Sequence, residues 1–443
     1  MVEEVKREKL IAIYAFLIMD FIQILFVSIL YLDENTPFVV GIDFSRSNPL
    51  VSVSLFSAII LMQIILIYYT AIQTLRQRDL IELHPLYKKE TEWRCRYSHE
   101  NIVQWTMDLA KKSGVTVNKI YLMNSPLPNA FTFSLPFLGS TVVVHSNTLE
   151  VLNEAEVKAI ITHEIGHIKN SDSIVQISIR MPSFFVDLIY LYIYIRMMLG
   201  AVSALVITGD LYLAGIRLLA LGAFFLLSRL LTAISKFFMQ KASRAAELLS
   251  DYHAASVLGE EATINALIRL GQRVEALTVL IEEIRWLESL NPERVGLIQY
   301  AELMRMITQY PLDNIDDVNA REVAPDVFLS TRLKHMREVY GVALSDDQIQ
   351  KVVEPAVSAL LDKRALTRPV SKPSKEPRTV DWRKVDYDKD RRLSKEELQD
   401  LLKMLRENPR KMLFDREVGI NLHTLDHPDF RRRVLFIAEE FGL

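Results

Sequence analysis

His163-Glu164-Ile165-Gly166-His167 sets two histidines four positions apart with a glutamate between them. On an α-helix, residues at that spacing lie one above the other on a single face, so both imidazoles can approach one cation from the same side. The glutamate is offset around the helix, near the open side of such a cation, where it can take a proton from a water molecule. The stretch is preceded by Asn153-Glu154-Ala155-Glu156, an N-cap residue followed three positions later by Glu. This is the capping-box arrangement, so a helix is expected to begin near residue 154. Val157, Ile160, Ile161, Ile165 and Ile168 recur at helical spacing and give it an apolar side. Taken alone, the pattern also fits a buried helix carrying two hydrogen-bonded histidines.

The chain has 443 residues, 50% of them hydrophobic, and a formal charge of −3, so it exceeds one ordinary domain and carries no bulk basic charge that would suggest nucleic acid. Its apolar residues are clustered. Leu10 to Leu32 and Leu50 to Ile72 are runs long enough to cross a hydrocarbon core about 30 Å thick. No small-residue cleavage site follows the first run at Asp33-Glu34-Asn35, which favours an uncleaved anchor over a signal peptide. A further apolar block from Ser183 to about Phe238 is long enough for two crossings joined at Thr208-Gly209-Asp210. It carries Asp187, Arg196, Arg217 and Arg229, which at membrane depth must face protein or water.

Lys6, Arg7 and Lys9 precede the first run, and Arg76, Arg78, Lys88, Lys89, Arg94 and Arg96 follow the second. The loop between them has only Arg46, so both outer ends are expected on the cytoplasmic side. The solitary Cys95 fits a reducing compartment, since one cysteine builds no disulfide framework.

Zinc held by two histidines needs one further protein ligand while keeping a position open. Ser243-Arg244-Ala245-Ala246-Glu247-Leu248-Leu249-Ser250-Asp251 is helical in pattern, and its two carboxylates lie a turn apart on one face. Glu247 can bind the metal, and Asp251 can accept the ring N–H of a ligating histidine. A solvated acidic pair on an amphipathic helix is the plainer reading of the same residues.

These residues carry a resemblance to the HtpX-type membrane zinc endopeptidases, which are related to the CAAX prenyl endopeptidases. Four blocks occur in order: Pro128-Asn129-Ala130-Phe131-Thr132, the strand-like Thr141 to His145, the His-Glu-x-x-His helix and the Glu-x-x-x-Asp helix. The likeness covers about residues 1 to 260. It implies His163, His167 and Glu247 as ligands of Zn²⁺, Glu164 as general base and Asp251 as the group that orients a ligand. It also places Asn129 near a bound peptide. Val142-Val143-Val144 is a β-type run beside it, and an exposed edge there, Val143 included, can hold an extended substrate by main-chain hydrogen bonds. An ordinary core strand reads the same way. The family further has a His-Pro element with a later Arg. Phe328-Leu329-Ser330-Thr331 looks like the approach to it, yet Arg332 stands where His-Pro is expected. His427-Pro428, followed by Arg431, Arg432 and Arg433, comes about a hundred residues later. His427 is therefore a candidate transition-state stabiliser if the intervening segment is an insertion.

After a soluble helical stretch, Arg368 to Arg378 is punctuated by Pro369, Pro373 and Pro377 and reads as a semi-rigid linker to a separate small module. In that module Asp386, Asp388, Asp390 and Glu397 fall at positions 1, 3, 5 and 12 of an EF-hand loop, a spacing suited to Ca²⁺. Arg391 replaces the glycine of position 6, and Ser394-x-x-Glu397 is equally a capping box.

The expected architecture is a mainly α, multi-span membrane protein with a cytoplasmic α+β zincin-like catalytic domain and a helical C-terminal extension. Its parts are two transmembrane helices over 1–75, the catalytic part with the histidine pair over 76–180, a transmembrane hairpin over 181–240, a helical part with the third ligand over 241–365, a linker over 366–380 and an EF-hand-like module over 381–443. The partners expected are membrane lipids and, by resemblance, misfolded or membrane-protein substrates in quality control. Prenyl-protein cleavage and a non-catalytic, calcium-responsive membrane scaffold are the alternatives. Oligomeric state is not legible.

Overall fold

The computed structural model describes residues 1–32, 49–76, 80–84, 96–124, 129–172, 183–207, 209–272, 345–351, 353–354, 379–388, 392–414 and 428–443. The chain is mainly helical with one small mixed sheet. Two long helices, α1 (Val2–Leu32) and α2 (Pro49–Leu75), come first, followed by the short strand β1 (Leu80–Glu82) and α3 (His99–Ser113). Strands β2 (Lys119–Met123), β3 (Ala130–Leu135) and β4 (Gly139–His145) then lead through α4 (Ser146–Val151) into α5 (Glu154–Lys169). Helices α6 (Ser183–Val206) and α7 (Leu211–Leu258) follow, then a helix over 260–272, and finally α8 (Lys395–Glu407) and α9 (Phe430–Phe441).

The sheet order is β1-β2-β4-β3, with β2 and β4 parallel and the outer pairs antiparallel. One of its faces packs on α3 and α5 through Ile102, Leu109, Leu122, Val142, Val144, Val157 and Ile161. β4 is an inner strand, and Val142, Val143 and Val144 are fully buried. This corrects the expectation that Val143 lies on a free edge: a run of consecutive valines is the signature of a strand covered on both faces. Among the described residues the outer strand beside α5 is β3.

Helix α5 begins where the capping box predicts. Asn153 Oδ1 accepts from Glu156 N–H at 3.0 Å, and Glu156 Oε2 accepts from Asn153 N–H at 2.9 Å. No break in the helix marks the boundary expected near residue 240. Asp210 caps α7 by accepting from Leu213 N–H at 2.9 Å, and the helix then runs unbroken for 48 residues through Glu247 and Asp251 to Leu258. With no Pro or helix-breaking cluster along it, the apolar half and the carboxylate half form one rod. Among the described residues, two helices are long and apolar enough to cross a membrane, over Phe56–Leu75 and within Leu211–Leu258, and Tyr190–Val206 is a shorter apolar helix. Large apolar side chains stand exposed along these elements and α1, among them Leu17, Phe21, Leu61, Ile65, Leu199, Leu219 and Leu226.

The C-terminal residues are not a separate module. Val380, Trp382, Leu398, Leu401, Leu405, Phe414, Val434 and Ile437 share one apolar core with Ala255, Ile264, Leu267 and Ile268. Asn265 fixes the contact at a polar point: its Nδ2 donates to Leu393 O at 2.9 Å and its Oδ1 accepts from Leu393 N–H at 2.8 Å, both buried. Asn265→Ala removes both bonds and strands two buried backbone groups, so it is expected to cost about 2 kcal/mol or more. Denaturant unfolding of the full chain in detergent is expected to show the lower midpoint.

Candidate metal centre

Helices α5 and α7 bring together the residues that the sequence places far apart. His163 Nε2 and His167 Nε2 lie 3.2 Å from each other. Glu247 closes the triangle, with Oε2 at 3.4 Å from His163 Nε2 and Oε1 at 3.4 Å from His167 Nε2. All three residues are buried. Donors held by one tetrahedral zinc at bond lengths of 2.0–2.2 Å stand about 3.3–3.6 Å apart, so two of the edges fit that ion and the third is about 0.1 Å short of it.

The other ring nitrogens are turned to acceptors, which leaves Nε2 of each imidazole for the metal. His163 Nδ1 is 2.8 Å from Asp251 Oδ1. His167 Nδ1 is 3.1 Å from Asp172 Oδ2 and 3.0 Å from Ser250 Oγ. A carboxylate hydrogen-bonded behind an imidazole, as Asp172 is behind His167, fixes the ring's tautomer and raises its basicity. Burial alone would depress both imidazoles, yet Asp251 and Glu247 hold His163 above its ordinary value, and Asp172 and Glu247 hold His167 well above it.

Two cations from the ends of the chain meet these carboxylates. Arg433 on α9 makes a two-pronged pair with Asp251, Nε to Oδ2 and Nη2 to Oδ1 both at 2.7 Å, and its Nη2 is 3.6 Å from Glu247 Oε2. Lys9 on α1 donates to Asp172 and, at 3.2 Å, to Asn170 O. Neither residue is singled out by local pattern. Arg433 stands five residues after Pro428. His427, Arg332 and the stretch from Phe328 to Thr331 lie outside the described residues.

Glu164 is buried on α5 within reach of Arg433's field. Asn129 stands just before β3, its carbonyl accepting from His145 N–H at 3.0 Å and from Thr148 Oγ1 at 2.8 Å. In the C-terminal loop, Asp386, Asp388 and Glu397 each offer an oxygen within 4.8 Å of the others, while Asp390 lies outside the described residues. Glu397 already uses Oε1 to accept from Tyr387 N–H at 2.7 Å and Oε2 to accept from Ser394 N–H at 2.8 Å. The capping-box reading of Ser394 and Glu397 is thus realised at the start of α8.

Two outcomes are expected. Arg433→Lys keeps the charge but loses the planar fork on Asp251, and is expected to weaken zinc retention roughly 10–100-fold in a chelator competition. His167's raised pKa sets a pH dependence for zinc-stripped protein. The charged imidazole's stabilisation is complete below the ordinary value of 6.5 and is lost as pH rises through the higher folded value. Melting of the stripped protein is expected to fall across that window, and to fall less in Asp172→Asn, whose side chain attracts the proton less strongly.

The sequence profile described as Peptidase family M48 matches residues 97–336, more than half of the chain. A Protease HtpX homolog of Aeropyrum pernix is 27% identical over 218 residues, 49% of this chain and 64% of that protein. Protease HtpX homolog 1 of Sulfolobus acidocaldarius is 28% identical over 156 residues, 35% of this chain and 48% of that one. A Protease HtpX homolog of Dictyoglomus turgidum is 44% identical over 64 residues, 14% and 21% of the two chains. The chain thus spans less than two thirds of the length of each of these relatives. No solved structure matches it. Because that profile covers more than half of the chain and takes in His163, His167, Asp172, Glu247 and Asp251, the chain belongs to Peptidase family M48.

Proposed function

We propose that this protein is a membrane zinc endopeptidase that hydrolyses peptide bonds at the cytoplasmic face, with misfolded membrane proteins as its substrates. The observation that carries the reading is the donor triangle of His163, His167 and Glu247, with edges of 3.2, 3.4 and 3.4 Å close to those of one tetrahedral zinc. When bound there, zinc supplies a Lewis acid that polarises a carbonyl and brings the pKa of water toward neutrality. Glu164, one residue along α5, accepts the proton of the attacking water and passes it to the leaving amine. Asp251 and Asp172 hold the two imidazoles in the orientation that presents Nε2, and Arg433 offsets the charge of the neighbouring carboxylates.

The peptide-binding strand in this reading is β3. His145 N–H donates to Asn129 O, so the hydrogen-bonded pairs of the β3–β4 ladder are Phe131 with Val143 and Phe133 with Thr141. Ala130, Thr132 and Ser134 therefore turn their main-chain N–H and C=O groups outward, where an extended substrate can add as a further strand. The membrane reading is supported by the apolar spans of α2 and α7, and the cytoplasmic placement by the lysines and arginines that flank the first two runs. A retired scaffold has no physical need for a carboxylic acid between two ligands, so the intact Glu164 supports an active enzyme.

Glu164→Gln is expected to retain one zinc per chain and to lose casein cleavage by at least about a hundredfold. Chelation is expected to abolish the wild-type activity and zinc to restore it. Preferential cleavage of CAAX-type prenyl peptides over unfolded membrane proteins would instead assign the protein to prenyl-protein processing.

A further inference from the structure

The β3–β4 hairpin turns through Pro136-Phe137-Leu138, and Leu138 N–H donates to Leu135 O at 3.2 Å to close it. Proline suits the second position of such a turn through its fixed φ. Phe137 takes the third position with φ 68, a left-handed conformation that turns of this kind give to Gly or Asn, because a side chain there is strained. Its ring is also fully exposed, at 102%. An aromatic side chain thus stands where the backbone prefers none and water disfavours it. Apolar surroundings remove the second penalty and so offset the first.

The neighbourhood says what those surroundings are. Tyr68 on α2 donates its hydroxyl to Pro136 O at 2.9 Å, and Phe133, Leu135 and Leu138 pack with Ile67, Ala71 and Leu75 of the same helix. The turn is therefore level with Tyr68, about 12 Å along the helix from Arg76, and Tyr68 and Tyr69 are residues of the type enriched where a span meets the interface. Leu61, Ile65 and Tyr69 remain exposed on α2, so Phe137 continues an apolar surface already there.

We propose that the tip of this hairpin is seated in the bilayer at the acyl-chain border beside α2, with Phe137 among the lipid chains. Edge strand β3 then begins at the membrane surface and receives polypeptide as it leaves the lipid, which makes chain emerging from the bilayer the preferred substrate. The proposal rests on reading α2 as a membrane span and β3 as the peptide-binding strand.

The test is a depth measurement on the full chain in phosphatidylcholine–phosphatidylglycerol liposomes. With Cys95→Ser as background, spin labels are placed at Phe137→Cys and, to mark α2, at Ile65→Cys. Both labels are expected to collide more often with oxygen than with a water-soluble nickel complex. A label at 137 that meets the nickel complex while the one at 65 is shielded overturns the proposal and leaves the membrane span standing. Nickel access at both sites overturns the two together. Spin–spin broadening at 137 that grows with protein-to-lipid ratio would assign the tip to a second copy and also overturn it. Phe137→Gly, which the turn favours and which leaves the zinc site untouched, separates the functional half. It is expected to lower cleavage of a single-span reporter in proteoliposomes about tenfold, as loss of one buried aromatic implies, with casein cleavage unchanged. Equal effects on both substrates, or none on the reporter, would overturn the substrate preference.

Discussion

Two helices distant in sequence can hold one ion only if their backbones come very close, and Gly166 sets that approach. A Cβ at this position would lie 3.0 Å from Ser250 Cα and 3.3 Å from His253 Cβ, tight enough that the helices would have to part by a few tenths of an ångström. Because α5 and α7 cross there, Glu247 reaches both Nε2 atoms, while Ser250 and Asp251, about a turn further on, reach the two Nδ1 atoms. One helix contact thus positions the third ligand together with groups behind the first two. The glycine inside the histidine motif is a packing requirement as much as part of a chemical signature.

The crossing also gathers negative charge out of water: Glu164, Glu247, Asp251 and Asp172 are all buried. Isolated buried carboxylates are costly, and the fold answers with cations from its two ends. Lys9 comes from the second turn of α1 and Arg433 from the first turn of α9. The same ends are tied beside the centre, where Val2 N–H donates to Glu440 Oε1 at 3.1 Å and Val2 packs with Leu248, Leu249 and Phe436. An apolar core would be at least as stable as this network. Its retention makes sense as geometry: each carboxylate is held where it can orient a ligand, and only the complete fold supplies the counter-charges.

This division explains what could be read from the chain. His163, His167, Glu164, Glu247 and Asp251 were legible because helical periodicity turns spacing into direction, and Asn153 and Glu156 announced where α5 begins. Lys9 and Arg433 were not, since each acts through a contact across the fold that no local spacing encodes. Arg433 had one faint signal, its place after His427-Pro428. Val143 was misplaced for a readable reason: consecutive valines bury both faces of β4, whereas β3 mixes polar and apolar residues as an outer strand does. The C-terminal residues looked independent because composition shows a linker but not the apolar face of 260–272 that Leu401 and Phe414 cover.

The continuity of α7 ties these strands of argument together. A helix of 48 residues is about 72 Å long, so the segment exposing Leu219 and Leu226 and the segment presenting Glu247 move as one body. A break near residue 240 would have let the metal centre shift against the apolar half. Without it, and with α7 read as a membrane span as proposed, the height of Glu247 above the lipid follows from the length of helix between them, and α5, locked to α7 at Gly166, inherits that height. The β3 strand packs on the same α5 while its hairpin leans on α2. In the proposed reading, the distance from membrane border to Glu164 is therefore fixed by rigid elements on both sides, which is the condition under which a protease can choose substrates by where they leave the bilayer.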